Sequence, residues 1–98
     1  MKINKSMNGG KLEIELEGRL DTTTAPELEK ELKDSMDAAT ELTLDFSKLD
    51  YISSAGLRVL LSAHKAMSKK GGMKVVNVNE VVKEVFDVTG FADILTIE

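Results

Sequence analysis

The apolar residues of this chain change period several times, and each change marks an element. Lys11-Leu12-Glu13-Ile14-Glu15-Leu16-Glu17 alternates strictly. That pattern predicts a strand with Leu12, Ile14 and Leu16 on one face and charges on the other. Lys2 to Met7 is expected to form a weaker strand with no clear face. Asn8-Gly9-Gly10 lies between the two, and these residue types accept positive φ cheaply, so the segments read as a hairpin with one solvated side. Gly18-Arg19-Leu20-Asp21-Thr22-Thr23 reads as a loop. Thr24-Ala25-Pro26-Glu27 then opens a helix, with Thr24 as N-cap, Pro26 in the first turn and Glu27 completing a capping box. Leu28, Leu32, Ser35, Met36 and Ala39 share its inner face. Glu27, Glu29, Lys30, Glu31, Lys33 and Asp34 make an ordinary solvated surface rather than a charge motif.

Alternation returns over Glu41 to Phe46, through Leu42, Leu44 and Phe46. After Asp50-Tyr51-Ile52 come Ser53, Ser54, Ala55 and Gly56, and then a helical pattern from about Ser54 to Lys70 with Leu57, Leu60, Leu61, His64 and Met67 at helical spacing. Lys65, Lys69 and Lys70 complement the negative end of that helix, and Gly71-Gly72 stop it. Met73 to Val78 is a further strand. Asn79 is expected to cap a last helix through Val82, Val85 and Phe86, closed by Gly90, and Asp93 to Glu98 adds a short strand. Strands alternating with helices at this spacing predict an α/β domain. Its sheet is mostly parallel, with an N-terminal antiparallel hairpin and helices after the parallel strands.

Length and charge narrow the class. At 98 residues the chain reads as one domain over 1–98, burying somewhat over ~60% of its unfolded surface around a modest core. The absence of cysteine removes disulfides, thiolate nucleophiles and cysteine-ligated zinc. Net charge of −4 and a pI of about 5.0 argue against a nucleic-acid partner, which normally meets a basic stripe. The first six residues carry no apolar run after their charges and do not read as a signal peptide. No stretch approaches the ~20 apolar residues of a membrane span, so a cytoplasmic protein without a membrane partner is expected.

Catalytic chemistry finds little support. His64 is the only histidine and falls on the apolar side of its helix, where a core-edge role is expected over that of a base. Gly-x-Ser-x-Gly is absent, and the glycine pairs are turn residues rather than phosphate loops. No cluster has metal-ligand spacing, and no cofactor is implied. The strand-to-helix junction at Ser53 and Ser54 is the informative place. A helix start offers unpaired N–H groups and partial positive charge, and it tolerates a phosphate. The ordinary role of a serine there is N-capping, which contributes about 1 kcal/mol. Only one of the two can cap, and Ala55 and Gly56 leave the first turn bare, so the other hydroxyl is open to a large partner.

Tyr51-Ile52-Ser53-Ser54-Ala55-Gly56-Leu57-Arg58-Val59-Leu60-Leu61 resembles the signature of bacterial anti-sigma factor antagonists, which are STAS-domain proteins. Gly18-Arg19-Leu20-Asp21 resembles the family's segment after its second strand. Leu44-Asp45-Phe46-Ser47 with Asp50-Tyr51-Ile52 resembles its run-in to the motif, and Val85-Phe86-Asp87-Val88-Thr89-Gly90-Phe91 its final helix end. The resemblance covers nearly the whole chain. It implies a partner-switching regulator, not an enzyme. The unmodified form docks on an anti-sigma factor with serine/threonine kinase activity and frees a sigma factor. Phosphorylation by that kinase ends the interaction, and a serine phosphatase restores it. The acceptor carried over by the motif is Ser54, with Ser53 as the adjacent candidate, since Ser53 replaces an aspartate that some members have. The docking surface expected from these segments comprises Asp21, Thr22, Thr23, Ser53, Ser54, Ala55, Gly56, Leu57 and Arg58. The same fold also serves as a subunit of lipid-transport or stress-sensing assemblies, or as a nucleotide-binding module, and these are the alternative functions.

Overall fold

The computed structural model describes residues 1–98. Its five strands are β1 (Lys2–Asn8), β2 (Lys11–Leu20), β3 (Glu41–Ile52), β4 (Met73–Val76) and β5 (Thr96–Ile97). They lie in the order of the chain, β1 antiparallel to β2 and every later neighbour parallel. Three helices make the crossovers: α1 (Ala25–Ser35), α2 (Ser54–Met67) and α3 (Glu80–Thr89). Parallel crossovers are right-handed, and here each steps one strand further the same way. All three helices therefore cover one face of the sheet. This is the α/β arrangement expected from the pattern.

Burial follows the alternation. Leu12, Ile14 and Leu16 of β2, Leu42, Leu44 and Phe46 of β3, and Met73 and Val75 of β4 face the helices in one continuous cluster. Leu28 and Leu32 of α1, Leu60, Ala63 and Met67 of α2, and Val82 and Phe86 of α3 close over them. Ser35, the one buried polar residue, accepts a hydrogen bond of 3.0 Å from Lys5 Nζ. Glu31 pairs with the same ammonium at 3.0 Å, so the inward-facing charge of β1 is satisfied. The opposite sheet face carries no helix. It presents Glu13, Glu17, Lys74, Thr96 and Glu98 to solvent, with Glu15 and Asp45 half-buried.

The structure corrects several boundaries. Gly18, Arg19 and Leu20 belong to β2 rather than to a loop, and β3 runs on from Phe46 to Ile52. Two irregularities hid both facts. The β2–β3 register jumps between Glu15 and Glu17, where Asp45 is succeeded by Lys48, and again between Gly18 and Arg19, where Leu49 is succeeded by Tyr51. Each inserts one residue into β3, so the buried positions run 42, 44, 46, 49, 52 and the period of two is lost. Gly18 supplies the positive φ, +105°, beside the second bulge. Asp45 braces the first by accepting hydrogen bonds from Ser47 N–H at 2.9 Å and from Asn77 Nδ2 at 3.2 Å. Partial burial alone would raise the Asp45 pKa; these bonds and the charge of Lys48 outweigh it and hold the carboxyl below its usual range.

Two of the helices are also shorter than expected. Met36–Ala38 is a turn of 3₁₀ helix, and Ala39 is buried in the extended segment beyond it. Helix α2 stops at Met67 rather than Lys70. Lys70 instead turns its ammonium onto the carbonyls of Met36 (2.6 Å), Asp37 (3.3 Å) and Ala39 (3.1 Å), capping the end of the preceding crossover. Strand β4 stops at Val76, and β5 keeps only Thr96 and Ile97 of the expected segment. Asn79 caps α3 as expected, accepting from Val82 N–H at 2.8 Å.

Candidate docking and modification site

Ser53 continues the sheet before it starts the helix. Its N–H donates to Leu20 O at 2.9 Å, extending the β2–β3 ladder, and its backbone is extended at φ −101°, ψ 175°. Its hydroxyl accepts from Gly56 N–H at 3.5 Å, so Ser53 is the N-cap of α2. Ser54 is the first helical residue and is exposed, and its hydroxyl takes part in no hydrogen bond within the chain. The first turn of α2 contains no acidic residue. The two serines thus divide the roles: one closes the helix, the other stands free on it.

Gly56 brings the helix close to the sheet. A Cβ at this position would lie 2.7 Å from Leu20 Cγ and 2.9 Å from Ile52 Cγ1. Side chains of the sheet fill the space beside it. Gly56 and Leu57 are buried, so they set the seat of the helix rather than its outer surface. Ala55 is half-buried and Arg58 exposed. The inner stripe of α2 runs through Leu57, Leu60, Ala63 and Met67, with Val59 also buried, while Leu61 and His64 are only half-buried.

The Asp21 loop sits beside this junction, because Leu20 pairs with Ile52. Here the expected capping box does not form. Thr24 is already helical at φ −99°, ψ −21° and makes no side-chain cap. Its hydroxyl donates to Arg19 O at 2.8 Å and accepts from Asp21 N–H at 2.8 Å. The capping carboxylate is Asp21, which accepts from Thr23 N–H (3.0 Å), Thr24 N–H (3.2 Å) and the Thr23 hydroxyl (2.8 Å). An aspartate three residues ahead of a threonine can close the turn itself, and it does so here at the expense of the Thr24 cap. The Thr23 hydroxyl bond, followed by the Thr24 and Thr23 N–H bonds, holds the Asp21 carboxyl below its ordinary 3.8 against an opposing desolvation.

Sequence reading missed one pair. Arg19 and Tyr51 face each other across the strands, and the guanidinium carbon lies 4.4 Å from the ring centroid. Arg19 Nε is also 3.8 Å from Asp21 Oδ2. The bulges obscured the register that would have paired them. Arg19, Asp21, Tyr51 and Ser53 thus gather at the C-terminal ends of β2 and β3, where open α/β sheets bind their ligands. A separate cleft lies elsewhere. About 380 Å³ in volume and lined by Lys11, Glu41, His64, Ser68 and Lys74 among others, it sits at the opposite ends of the strands.

The match to the STAS domain family extends over residues 2–98. The chain belongs to that family. This STAS domain is 35% identical to BtrV of Bordetella bronchiseptica, which bears the name of an anti-sigma factor antagonist, over 99% of the chain and 85% of that protein. It is 28% identical to the anti-sigma-B factor antagonist of Bacillus subtilis, over 99% of the chain and 90% of that protein. The solved structure of the Bacillus cell fate determinant SpoIIAA in its phosphorylated form superposes with a TM-score of 0.76 at 18% identity, covering 99% of this chain and 91% of that one. The fold of this STAS domain is that of these antagonists, and the family is regulatory rather than catalytic.

Proposed function

We propose that this protein is an anti-sigma factor antagonist whose unmodified form docks on an anti-sigma factor with serine kinase activity and is released when Ser54 is phosphorylated. The observation that carries the reading is the division of labour at the start of α2. Ser53 caps, leaving Ser54 exposed, unbonded and followed by a first turn without acid. A phosphate on Ser54 adds roughly −1.5 to −2 charges, and at a helix start it is favoured by about 0.3–1 kcal/mol, so the fold tolerates it. In a docked interface the same charge must be desolvated. An uncompensated buried charge costs about 3–5 kcal/mol, and each ~1.4 kcal/mol is tenfold in affinity. One modification therefore suffices to exchange partners. The names of the two curated relatives and the phosphorylated form of SpoIIAA support the same reading. The kinase and the opposing phosphatase supply the chemistry; this chain supplies a surface and a hydroxyl.

The test is a pull-down from lysate with wild type and Ser54→Asp, read by mass spectrometry, followed by phosphosite mapping with the captured kinase and ATP. Capture of an anti-sigma kinase by wild type alone, with phosphate on Ser54, is the expected result. Phosphate on Ser53 or on the Thr22–Thr24 loop, or capture of no such kinase, overturns it.

A further inference from the structure

Ser54 and Arg58 are four residues apart on α2 (Ser54–Met67). Positions i and i+4 are neighbours on one helix face, with Cβ atoms about 5–6 Å apart. Side chains on a helix tilt toward its N-terminus, so Arg58 leans over the first turn, toward Ser54. An anion one turn ahead of a cation is also the favourable order. We infer that Arg58 is the internal counter-ion of a phosphate on Ser54, and that modification withdraws this cation from the docking surface. The inference rests on the reading of Ser54 as the modified residue.

Four observations converge on it. Arg58 is exposed and takes part in none of the six ion pairs of the chain. The other arginine, Arg19, is already held over Tyr51 and beside Asp21. The first turn of α2 holds no carboxylate that would compete for Arg58. The Ser54 oxygen has no partner within the chain, so a phosphate there is free to choose one. Unmodified, Arg58 is an uncommitted cation on a protein of net charge −4, available to an acidic group of a partner. Once Ser54 is phosphorylated, the guanidinium has a dianion within one helical turn and can bind it through two parallel N–H···O bonds. The modification then acts twice. It places charge where a neutral hydroxyl stood, and it removes the cation that an acidic partner would meet. A Ser54→Asp variant reproduces only part of this, since its single carboxylate is shorter and less charged.

The full chain carrying phosphoserine installed at position 54 by genetic encoding tests the pairing without any kinase. Phosphorus NMR follows the phosphate titration in this protein and in its Arg58→Gln variant, with amide spectra verifying a common fold. The second phosphate pKa, ordinarily about 6, is expected to be lower with Arg58 present by about 0.3 unit or more. The difference should shrink in ~1 M salt, where the screening length falls to about 3 Å. The Arg58 Nε–H should exchange more slowly with water when Ser54 is phosphorylated than when it is not. Equal titrations in the two folded proteins overturn the inference, as does a shift produced by Arg19→Gln and not by Arg58→Gln. An unchanged Arg58 exchange rate also overturns it. Failure of a kinase to modify Ser54 would instead strike the proposed function, and the two failures are read in separate experiments.

Discussion

Ser53 and Ser54 are chemically identical neighbours that the fold uses in opposite ways. The cap bond of Ser53 is long at 3.5 Å, so Ser53→Ala is expected to cost about 0.5 kcal/mol, the low end of the capping range. Ser54 bonds to nothing, so Ser54→Ala should leave the thermal midpoint unchanged, and Ser54→Asp should hold or raise it through the helix dipole. Their binding should diverge, with Ser54→Ala docking on the kinase normally and Ser54→Asp at least tenfold more weakly. Thermal unfolding and kinase affinity measured on both variants decide the matter; equal affinities would make Ser54 a bystander. Asp21 gives a residue-scale expectation in pH. Its folded pKa lies below 3.8, so between the two values the unfolded chain binds more protons, and stability rises with pH. The contribution is present above about 4 and lost as pH falls through the lower, folded value. Asp21→Asn should flatten that part of a melting-temperature profile against pH; an unaltered acid limb would show that the loop bonds carry no such linkage.

At the scale of elements, the seat of α2 on the sheet depends on Gly56. Helix propensity alone favours alanine there by up to ~1 kcal/mol. Against that, its Cβ would stand 2.7 Å from the branch carbon of Leu20 and 2.9 Å from Ile52, and overpacking costs about 1–3 kcal/mol. The clash outweighs the propensity, so Gly56→Ala should lower the thermal midpoint, and Gly56→Val more so. A stabilised Gly56→Ala variant would refute the tight seat. The elements that were legible in the sequence are those whose burial has a single period: β2 through Leu12, Ile14 and Leu16, and α3 through Val82 and Phe86 with its Asn79 cap. What stayed hidden depends on distant neighbours. The end of β3 and the Arg19–Tyr51 stack follow from bulges in the pairing of two strands distant in sequence. The place of Lys70 outside α2 is another case, its ammonium bonded to carbonyls of an earlier crossover. The serine pair was legible as a pair; which hydroxyl caps was settled by backbone angles.

The molecule as a whole is two-sided. Its helices cover one face of the sheet, and the other is bare and polar. The candidate site lies at the strand ends between them. No helix is long and apolar enough to cross a membrane. Glu15 stands on the bare face, 3.6 Å from Lys48 Nζ; such a surface pair is worth about 0–1 kcal/mol. Glu15→Gln is therefore expected to leave stability within about 0.5 kcal/mol and kinase binding unchanged, as read by titration calorimetry. Loss of binding would mean that docking extends across the open face.

The bulges of β3 have a further consequence, which is one of counting. Strand neighbours alternate faces, so each inserted residue reverses parity, and the second insertion restores it: Leu42 and Ile52 both point inward, with Leu49 between them out of step. The side on which Ser53 and Ser54 emerge is thus encoded in the number of residues between Phe46 and Ile52 as much as in their identity. Removing Ser47 alone should turn Ile52 toward solvent and carry the serines to the wrong side of the sheet. Removing Ser47 and Asp50 together preserves the parity, and should be the milder change despite being the larger one. Circular dichroism and thermal unfolding of the single and double deletions would rank them, and the reverse order would show that residue parity does not set the placement of the site.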